Sequence, residues 1–216
     1  MGELLKQTLD VTAELPISFY FEKNKSPDKK LLIFLHGYTD SAASFLKRAY
    51  DGSGLDYDCL APNGPFPVPV STEKGYKEAY SWYFEDHSIG RTIIPKEVTI
   101  KILVSLIYKL GLEKHRKTIV GFSQGGFLAP KLAEQLLHVD KIIGIGSDYR
   151  KDLYENIKNI KVFGIHGVLD SVVPYQKSFD HYHERAFQGG EFSSIPNMDH
   201  KINDSAKAEL LRFILK

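Results

Sequence analysis

Seven short runs rich in β-branched and aromatic residues recur along this chain, at residues 17–21, 31–35, 58–60, 118–120, 141–145, 161–165 and 191–195. Several are almost continuously apolar, as parallel strands covered on both faces must be. Helical patterns fall between the later runs. Val98, Ile102, Leu106 and Leu110 recur every fourth residue with Leu103 and Ile107 beside them, so one apolar stripe runs along a helix. Pro95 before that segment and Gly111 after it are suitable start and stop signals. The pattern predicts further helices from Ser123 through Leu137, over residues 175–186, and over residues 205–215 with Ala208, Leu211 and Leu215 facing inward. This alternation predicts an α/β fold: a mostly parallel central sheet with helices on both faces and right-handed crossovers.

With 216 residues, 43% of them hydrophobic, the chain can bury a sizeable core. No internal repeat or Pro/Gly/Ser linker divides it, so residues 1–216 read as a single domain. Residues 64–94 stand apart. Pro65, Pro67 and Pro69 are followed there by Tyr76, Tyr80, Trp82, Tyr83 and Phe84 without clean periodicity. A segment of that length and composition inside a compact domain is usually functional.

Lys plus Arg (28) nearly balance Asp plus Glu (27), which argues against a nucleic-acid binder. The lone cysteine, Cys59, excludes an intramolecular disulfide and a Cys-rich zinc site, and reads as a core strand residue. No secretory signal is visible near the N-terminus, and no apolar run is long enough to span a membrane. A cytoplasmic protein without integral membrane association is expected.

The most informative stretch is Thr118-Ile119-Val120-Gly121-Phe122-Ser123-Gln124-Gly125-Gly126. Gly-x-Ser-x-Gly alone is a weak pattern. Here it follows an apolar strand and opens a helix, which is the context a nucleophile elbow requires. The serine must sit on a strained strand-to-helix turn, and side chains at Gly121 and Gly125 would collide with neighbouring backbone. A nucleophile of this kind needs two preorganised donors for the oxyanion it creates. One should be the Gln124 N–H. The other should come from the loop after an earlier strand, where Leu31–Leu35 run into His36-Gly37-Tyr38, and the Tyr38 N–H is the candidate. His36 reads as a residue that shapes this loop.

The expected chain order is Ser, then Asp or Glu, then His. Five histidines follow Ser123, and only His200 lies in a loop between the last strand and the last helix. His200 is the candidate base. The acid has two candidates: Asp170, in the loop after the strand ending near His166, and Asp148, after the preceding strand. Asp170 is favoured because it directly precedes the segment leading to the histidine strand.

Together these residues resemble the carboxylesterase/phospholipase family that includes acyl-protein thioesterases. Leu35–Asp40 is similar to its oxyanion loop, Gly121-Phe122-Ser123-Gln124-Gly125-Gly126 to its nucleophile motif, Ser81-Trp82-Tyr83 to its Ser-Trp-aromatic signature, and His166-Gly167-x-x-Asp170-x-x-Val173-Pro174 to its acid loop. The resemblance covers residues 15–215. It implies an α/β-hydrolase fold, a triad of Ser123, Asp170 and His200, and oxyanion donors at Tyr38 and Gln124. Three departures stand out: Tyr38-Thr39 replaces the common Leu-Gly, Pro130 falls within the helix after the nucleophile, and the sequence around His200 lacks a close match beyond the histidine itself.

The reading is therefore a serine hydrolase acting on short- to medium-chain carboxylic esters or thioesters through an acyl-enzyme, with no cofactor or metal. Its partner is a small acyl substrate. A lysophospholipase, an acyl-protein thioesterase and a non-catalytic binding relative are the alternatives. A dinucleotide site is disfavoured, since neither Gly-x-Gly-x-x-Gly nor a Walker motif occurs. Tyr80, Trp82 and Tyr83 are candidate substrate contacts, interrupted by charges that suit a short acyl chain better than a long one.

Overall fold

The computed structural model describes residues 15–24, 28–50, 55–73, 75–86 and 91–216. The chain opens with β1 (Phe19–Glu22), β2 (Lys30–Leu35), α1 (Ala42–Ala49) and β3 (Asp58–Pro62). Six short strands follow: β4 (Phe66–Pro67), β5 (Val70–Thr72), β6 (Gly75–Lys77), β7 (Tyr80–Ser81), β8 (Phe84–Asp86) and β9 (Arg91–Ile94). Strands then alternate with helices: α2 (Lys96–Lys109), β10 (Arg116–Phe122), α3 (Gln124–Ala133), β11 (Val139–Ile145), α4 (Lys151–Tyr154), β12 (Lys161–Gly167), α5 (Tyr175–Arg185), β13 (Glu191–Ile195) and α6 (Asp204–Leu215).

All seven apolar runs contribute strands to one sheet, ordered β1-β3-β2-β10-β11-β12-β13. Every neighbouring pair is parallel except β1 with β3. The two faces of the sheet are buried differently, and β2 displays the period-two pattern that divides them. Leu31, Ile33 and Leu35 join Ile119, Ile142 and Val162 beneath α2, α3, α4 and α5. Leu32 and Phe34 join Val120, Phe122, Ile143, Ile145, Phe163 and Ile165 beneath α1 and α6. A mostly parallel sheet flanked by helices on both sides, with a tight strand-to-helix turn at Ser123 ending a central strand, is the α/β-hydrolase fold.

Local physics explains where elements depart from the sequence pattern. Helix α1 is short and was not apparent from periodicity; Ser41 caps it by accepting the Ser44 N–H, and Ala42, Phe45 and Ala49 face the core. Helix α3 stops at Ala133 rather than reaching Leu137. The Gln135 and Leu136 N–H groups bond to carbonyls three residues back, and His138 takes φ 58° as the chain turns into β11. Pro130 lies inside α3 and withholds the donor that the Gly126 carbonyl would otherwise receive. In α6 the inward stripe is Ala206, Leu210, Phe213 and Ile214, while Ala208, Leu211 and Leu215 are exposed, correcting the expected face. Phe213 sets that rotation by packing its ring 4.7 Å from the Phe163 ring of β12. Residues of the 64–94 segment form three two-stranded ribbons, β4–β7, β5–β6 and β8–β9.

Two buried residues show how the core handles polar atoms. Cys59 is a core residue whose thiol is pushed up to about 12 by burial, the opposite of an activated nucleophile. Lys117 is fully buried at the start of β10, and its Nζ donates to the carbonyls of Glu113 (2.7 Å), His115 (2.7 Å) and Leu137 (2.9 Å). It therefore ties the entries of β10 and β11 together. Among the described residues, no helix is long and apolar enough to cross a membrane.

Lys117→Met keeps the aliphatic stem but orphans three carbonyls. It should lower unfolding free energy in urea by about 2 kcal/mol, since a buried unsatisfied group costs roughly 1–3 kcal/mol. An unchanged urea midpoint would show that these carbonyls find water.

Candidate active site

Ser123 closes β10 and opens α3 with φ 49° and ψ −117°, a conformation that a residue with a side chain rarely adopts. The surrounding glycines make this turn possible. A Cβ on Gly121 would overlap the Gly125 carbonyl, and one on Gly125 would overlap the carbonyls of Leu35 and His36. The elbow is thus pressed directly against the loop that follows β2.

That loop is held by His36. Its Nδ1–H donates to the Gly37 carbonyl at 2.7 Å and its Nε2 accepts the Gly64 N–H at 2.9 Å, so both ring nitrogens are used by the neutral form. Burial pushes its pKa down to about 4. Trp82 stacks on the His36 ring with centroids 4.5 Å apart and donates from Nε1 to the His36 carbonyl at 2.7 Å. The Gln124 side chain completes the frame, accepting the Trp82 N–H at 3.1 Å and donating to the Tyr83 carbonyl at 2.9 Å. The Gln124 N–H itself is the first of α3, a position that has no intrahelical acceptor.

The loops after β12 and β13 are clamped to each other. The Val168 N–H bonds to the Ile195 carbonyl (3.0 Å) and the Leu169 N–H to the Met198 carbonyl (3.0 Å). This juxtaposes Asp170 and His200. His200 Nδ1–H donates to Asp170 Oδ2 at 2.7 Å, and His200 Nε2 lies 2.9 Å from Ser123 Oγ, so the hydroxyl can donate to it. The other Asp170 oxygen accepts the N–H groups of Val172 (3.0 Å) and Val173 (2.9 Å). His166 approaches the shared oxygen at 3.4 Å while donating from the same nitrogen to the Val173 carbonyl. Burial alone would raise the Asp170 carboxyl, but the bonds from His166, His200 and the Val173 N–H hold it well below the usual carboxylate range.

Asp148, the rival acid, is elsewhere. It accepts its neighbour's Tyr149 N–H at 2.8 Å and pairs with His181 Nδ1 at 2.7 Å. It reaches His181 on α5 rather than His200, because β11 ends one strand short of the clamped loops. The structure therefore brings Ser123, His200 and Asp170 into one hydrogen-bonded row. In such a row the imidazole can accept the serine proton while the carboxylate stabilises its charged form.

A cleft of about 620 Å³ opens over Ser123. Tyr38, Tyr83, Phe84, Gln124, Phe127, Val172 and Val173 line it, together with Glu85, Lys96, Asp148, Pro174, Arg150 and Lys177. Of the three aromatic residues singled out as substrate contacts, only Tyr83 lines this cleft. Trp82 is fully buried behind the loop after β2, and Tyr80 is turned away toward Glu78 while its N–H bonds to the Asp40 carbonyl. Both brace the site from outside because the β7 ribbon docks on the loop's outer edge. Phe127, Arg150 and Lys177 escape sequence reading, since only tertiary packing turns those faces of α3, the β11–α4 loop and α5 toward Ser123. Among the described residues, no cluster of ligating side chains could hold a metal.

The fold and this row of side chains at the strand ends place the protein among α/β hydrolases. More narrowly, the phospholipase/carboxylesterase family profile matches residues 18–216, and the chain belongs to that family. Among curated proteins no sequence match was found. Esterase PE8 is similar in structure, with TM-score 0.71 and 24% identity over 92% of this chain and 98% of that one. Zea mays acyl-protein thioesterase 2 superposes with TM-score 0.68 and 17% identity, over 92% and 97% of the two chains. Arabidopsis thaliana SOBER1 gives 0.60 and 19%, over 87% and 99%. At these identities the likeness concerns the fold.

Two outcomes follow from this geometry. Ser123→Gly should unfold at higher urea than Ser123→Ala by about 1 kcal/mol, because glycine relieves a strain worth roughly 1–3 kcal/mol; equal midpoints would mean that the turn stores no strain. His36 is neutral in the folded protein down to about pH 4, whereas its unfolded value is 6.5. Its contribution is therefore complete above pH 6.5 and is lost as pH falls from 6.5 toward 4, a change of about 3 kcal/mol. Urea unfolding across that window should show the slope in the wild type and a shallower one in His36→Asn.

Proposed function

We propose that the protein is a serine hydrolase that cleaves short- to medium-chain carboxylic esters or thioesters through an acyl-enzyme on Ser123. The observation that carries this reading is the Ser123–His200–Asp170 row, with His200 nitrogens 2.9 Å from the serine oxygen and 2.7 Å from the carboxylate. In the first half-reaction Ser123 Oγ attacks the carbonyl carbon as its proton passes to His200 Nε2. Asp170, held ionised, stabilises the imidazolium. The developing oxyanion is received by the N–H groups of Tyr38 and Gln124, the latter at the positive end of α3. His200 then returns the proton to the departing oxygen or sulfur. Water repeats the sequence on the acyl-enzyme and frees the acid. No cofactor enters.

The preference for shorter acyl chains rests on the cleft wall. Tyr38, Tyr83, Phe84 and Phe127 give an apolar side, but Glu85 and Lys96 pair within the same wall and interrupt it. Each buried CH₂ contributes about 0.8 kcal/mol only where apolar surface continues to meet it.

A fluorophosphonate probe should label the wild type at Ser123 and leave Ser123→Ala unlabelled. Ser123→Ala should lower kcat by about 10³-fold or more with the fold retained, and adding His200→Ala should cost little further, because the two act as a unit. A folded wild-type protein that takes no label would point instead to a binding protein on this scaffold. Across acyl lengths, kcat/KM should peak at short or medium esters, with Tyr83→Ala shifting the optimum. An optimum at palmitoyl thioesters would move the protein toward depalmitoylation.

A further inference from the structure

The charges that line the cleft are unevenly satisfied. Lys96 is paired with Glu85 and lies over the Tyr83 ring, 4.4 Å from its centroid. Asp148 is paired with His181 and bonded to the Tyr149 N–H. These four groups answer one another within the protein, leaving Arg150 and Lys177. Lys177 has no ion-pair or hydrogen-bond partner among the described residues. Arg150 meets only Asp152, two residues along, at 3.3 Å, in a pair whose side chains are 42% and 66% exposed. Such a pair contributes little. The Arg150 Nη2 donates to Asp152 Oδ2 at 3.3 Å, while Nε, shielded from solvent, faces Asp152 Oδ1 at 3.3 Å without the geometry of a hydrogen bond. A guanidinium held only by this exposed pair and an ammonium without an ion-pair partner among the described residues thus line the same cleft over Ser123.

We infer that Arg150 and Lys177 form a carboxylate-binding subsite of the Ser123 cleft, selecting esters or thioesters that carry a negative charge remote from the scissile carbonyl. The inference rests on the hydrolase reading above and narrows its substrate class. The guanidinium supplies a planar fork suited to a carboxylate, and the ammonium adds a second positive charge from α5. The apolar residues Tyr38, Phe84, Phe127 and Val172 line the same cleft and suit the intervening methylenes. The substrate is then amphipathic: an apolar link between a reactive carbonyl and an acidic end. This accounts for a cleft that is neither wholly greasy nor wholly polar. It also accounts for two cations in the cleft wall that the protein's own carboxylates leave weakly answered.

The acidic group could belong to the acyl part or to the leaving group, and two pairs of esters separate these. The acyl arm compares 4-nitrophenyl hydrogen glutarate with neutral 4-nitrophenyl valerate. The leaving-group arm compares 4-acetoxybenzoate with its methyl ester. The readout is the ratio of kcat/KM, charged over neutral, for the wild type, Arg150→Gln, Lys177→Gln and the double variant. Lys161→Gln, at the opposite end of the sheet, controls for loss of one charge. In at least one arm the wild-type ratio should exceed that of the double variant by about tenfold, mostly through KM, and added salt should shrink it, since charge-assisted bonds to solvent-accessible groups are screened. Lys161→Gln should keep the wild-type ratio. Labelling and neutral-ester turnover with no charge preference in either arm, or a preference that survives in the double variant, would overturn the subsite alone. A folded protein without labelling or turnover would overturn the hydrolase reading and the subsite with it.

Discussion

The close approach of β10, the first turn of α3 and the loop after β2 is the constraint from which the rest of the site follows. Ser123 can hold φ 49° only because Gly121 and Gly125 let backbone meet backbone where any side chain would intrude. That contact lifts the serine hydroxyl above the sheet. It also brings the first free N–H of α3 beside the loop that bears Tyr38. The Gln124 side chain then reaches to the Trp82–Tyr83 backbone, so the aromatic segment is fastened to the elbow itself. Trp82 and His36 stiffen the loop from behind. One strained residue is thus braced from three directions.

Asp170 and His200 are positioned by a different device. Both lie on loops, where precision is harder to obtain, and the backbone bonds from Val168 and Leu169 to the β13 side make the two loops a single unit. Gly146, at φ 52°, completes the fit from β11. A Cβ there would stand 3.3 Å from Asp170 Oδ2 and 3.4 Å from the His200 ring, so the dyad rests directly on bare backbone. The carboxylate keeps its charge in a buried place because His166, His200 and two N–H groups surround it. The charge on Asp170 is therefore a property of the whole loop cluster.

Much of this was legible in the sequence, and the limits have physical causes. The sheet strands could be read because burial on both faces demands continuous apolar runs. Helix α1 could not, because eight residues carry too few turns for a periodic signal and its cap lies in the short-range geometry of Ser41. The inward face of α6 was misjudged because its rotation depends on one ring-to-ring contact, Phe213 with Phe163, made across the fold. Ser123, His200 and Asp170 stood out through chain order and local context. Trp82 pointed to substrate through its company of aromatics, but it serves the loop behind the cleft, a distinction that only burial reveals. Arg150 and Lys177 carry no local signature at all. What they face is decided by the crossing of separate elements.

The order of the three side chains along the polypeptide has a bearing on how the protein comes into being. His200 lies 77 residues beyond Ser123 and 30 beyond Asp170, on the loop after the strand at the sheet's edge. During synthesis, β2, β10 and the elbow can be assembled while the histidine is still within the ribosome. A nascent chain would carry a strained serine with no imidazole beside it. β13, made after the other strands of this sheet, is also the one whose docking completes the row. On the ribosome the Ser123–His200 contact therefore waits for β13 to reach the edge, after the growth of the sheet's centre.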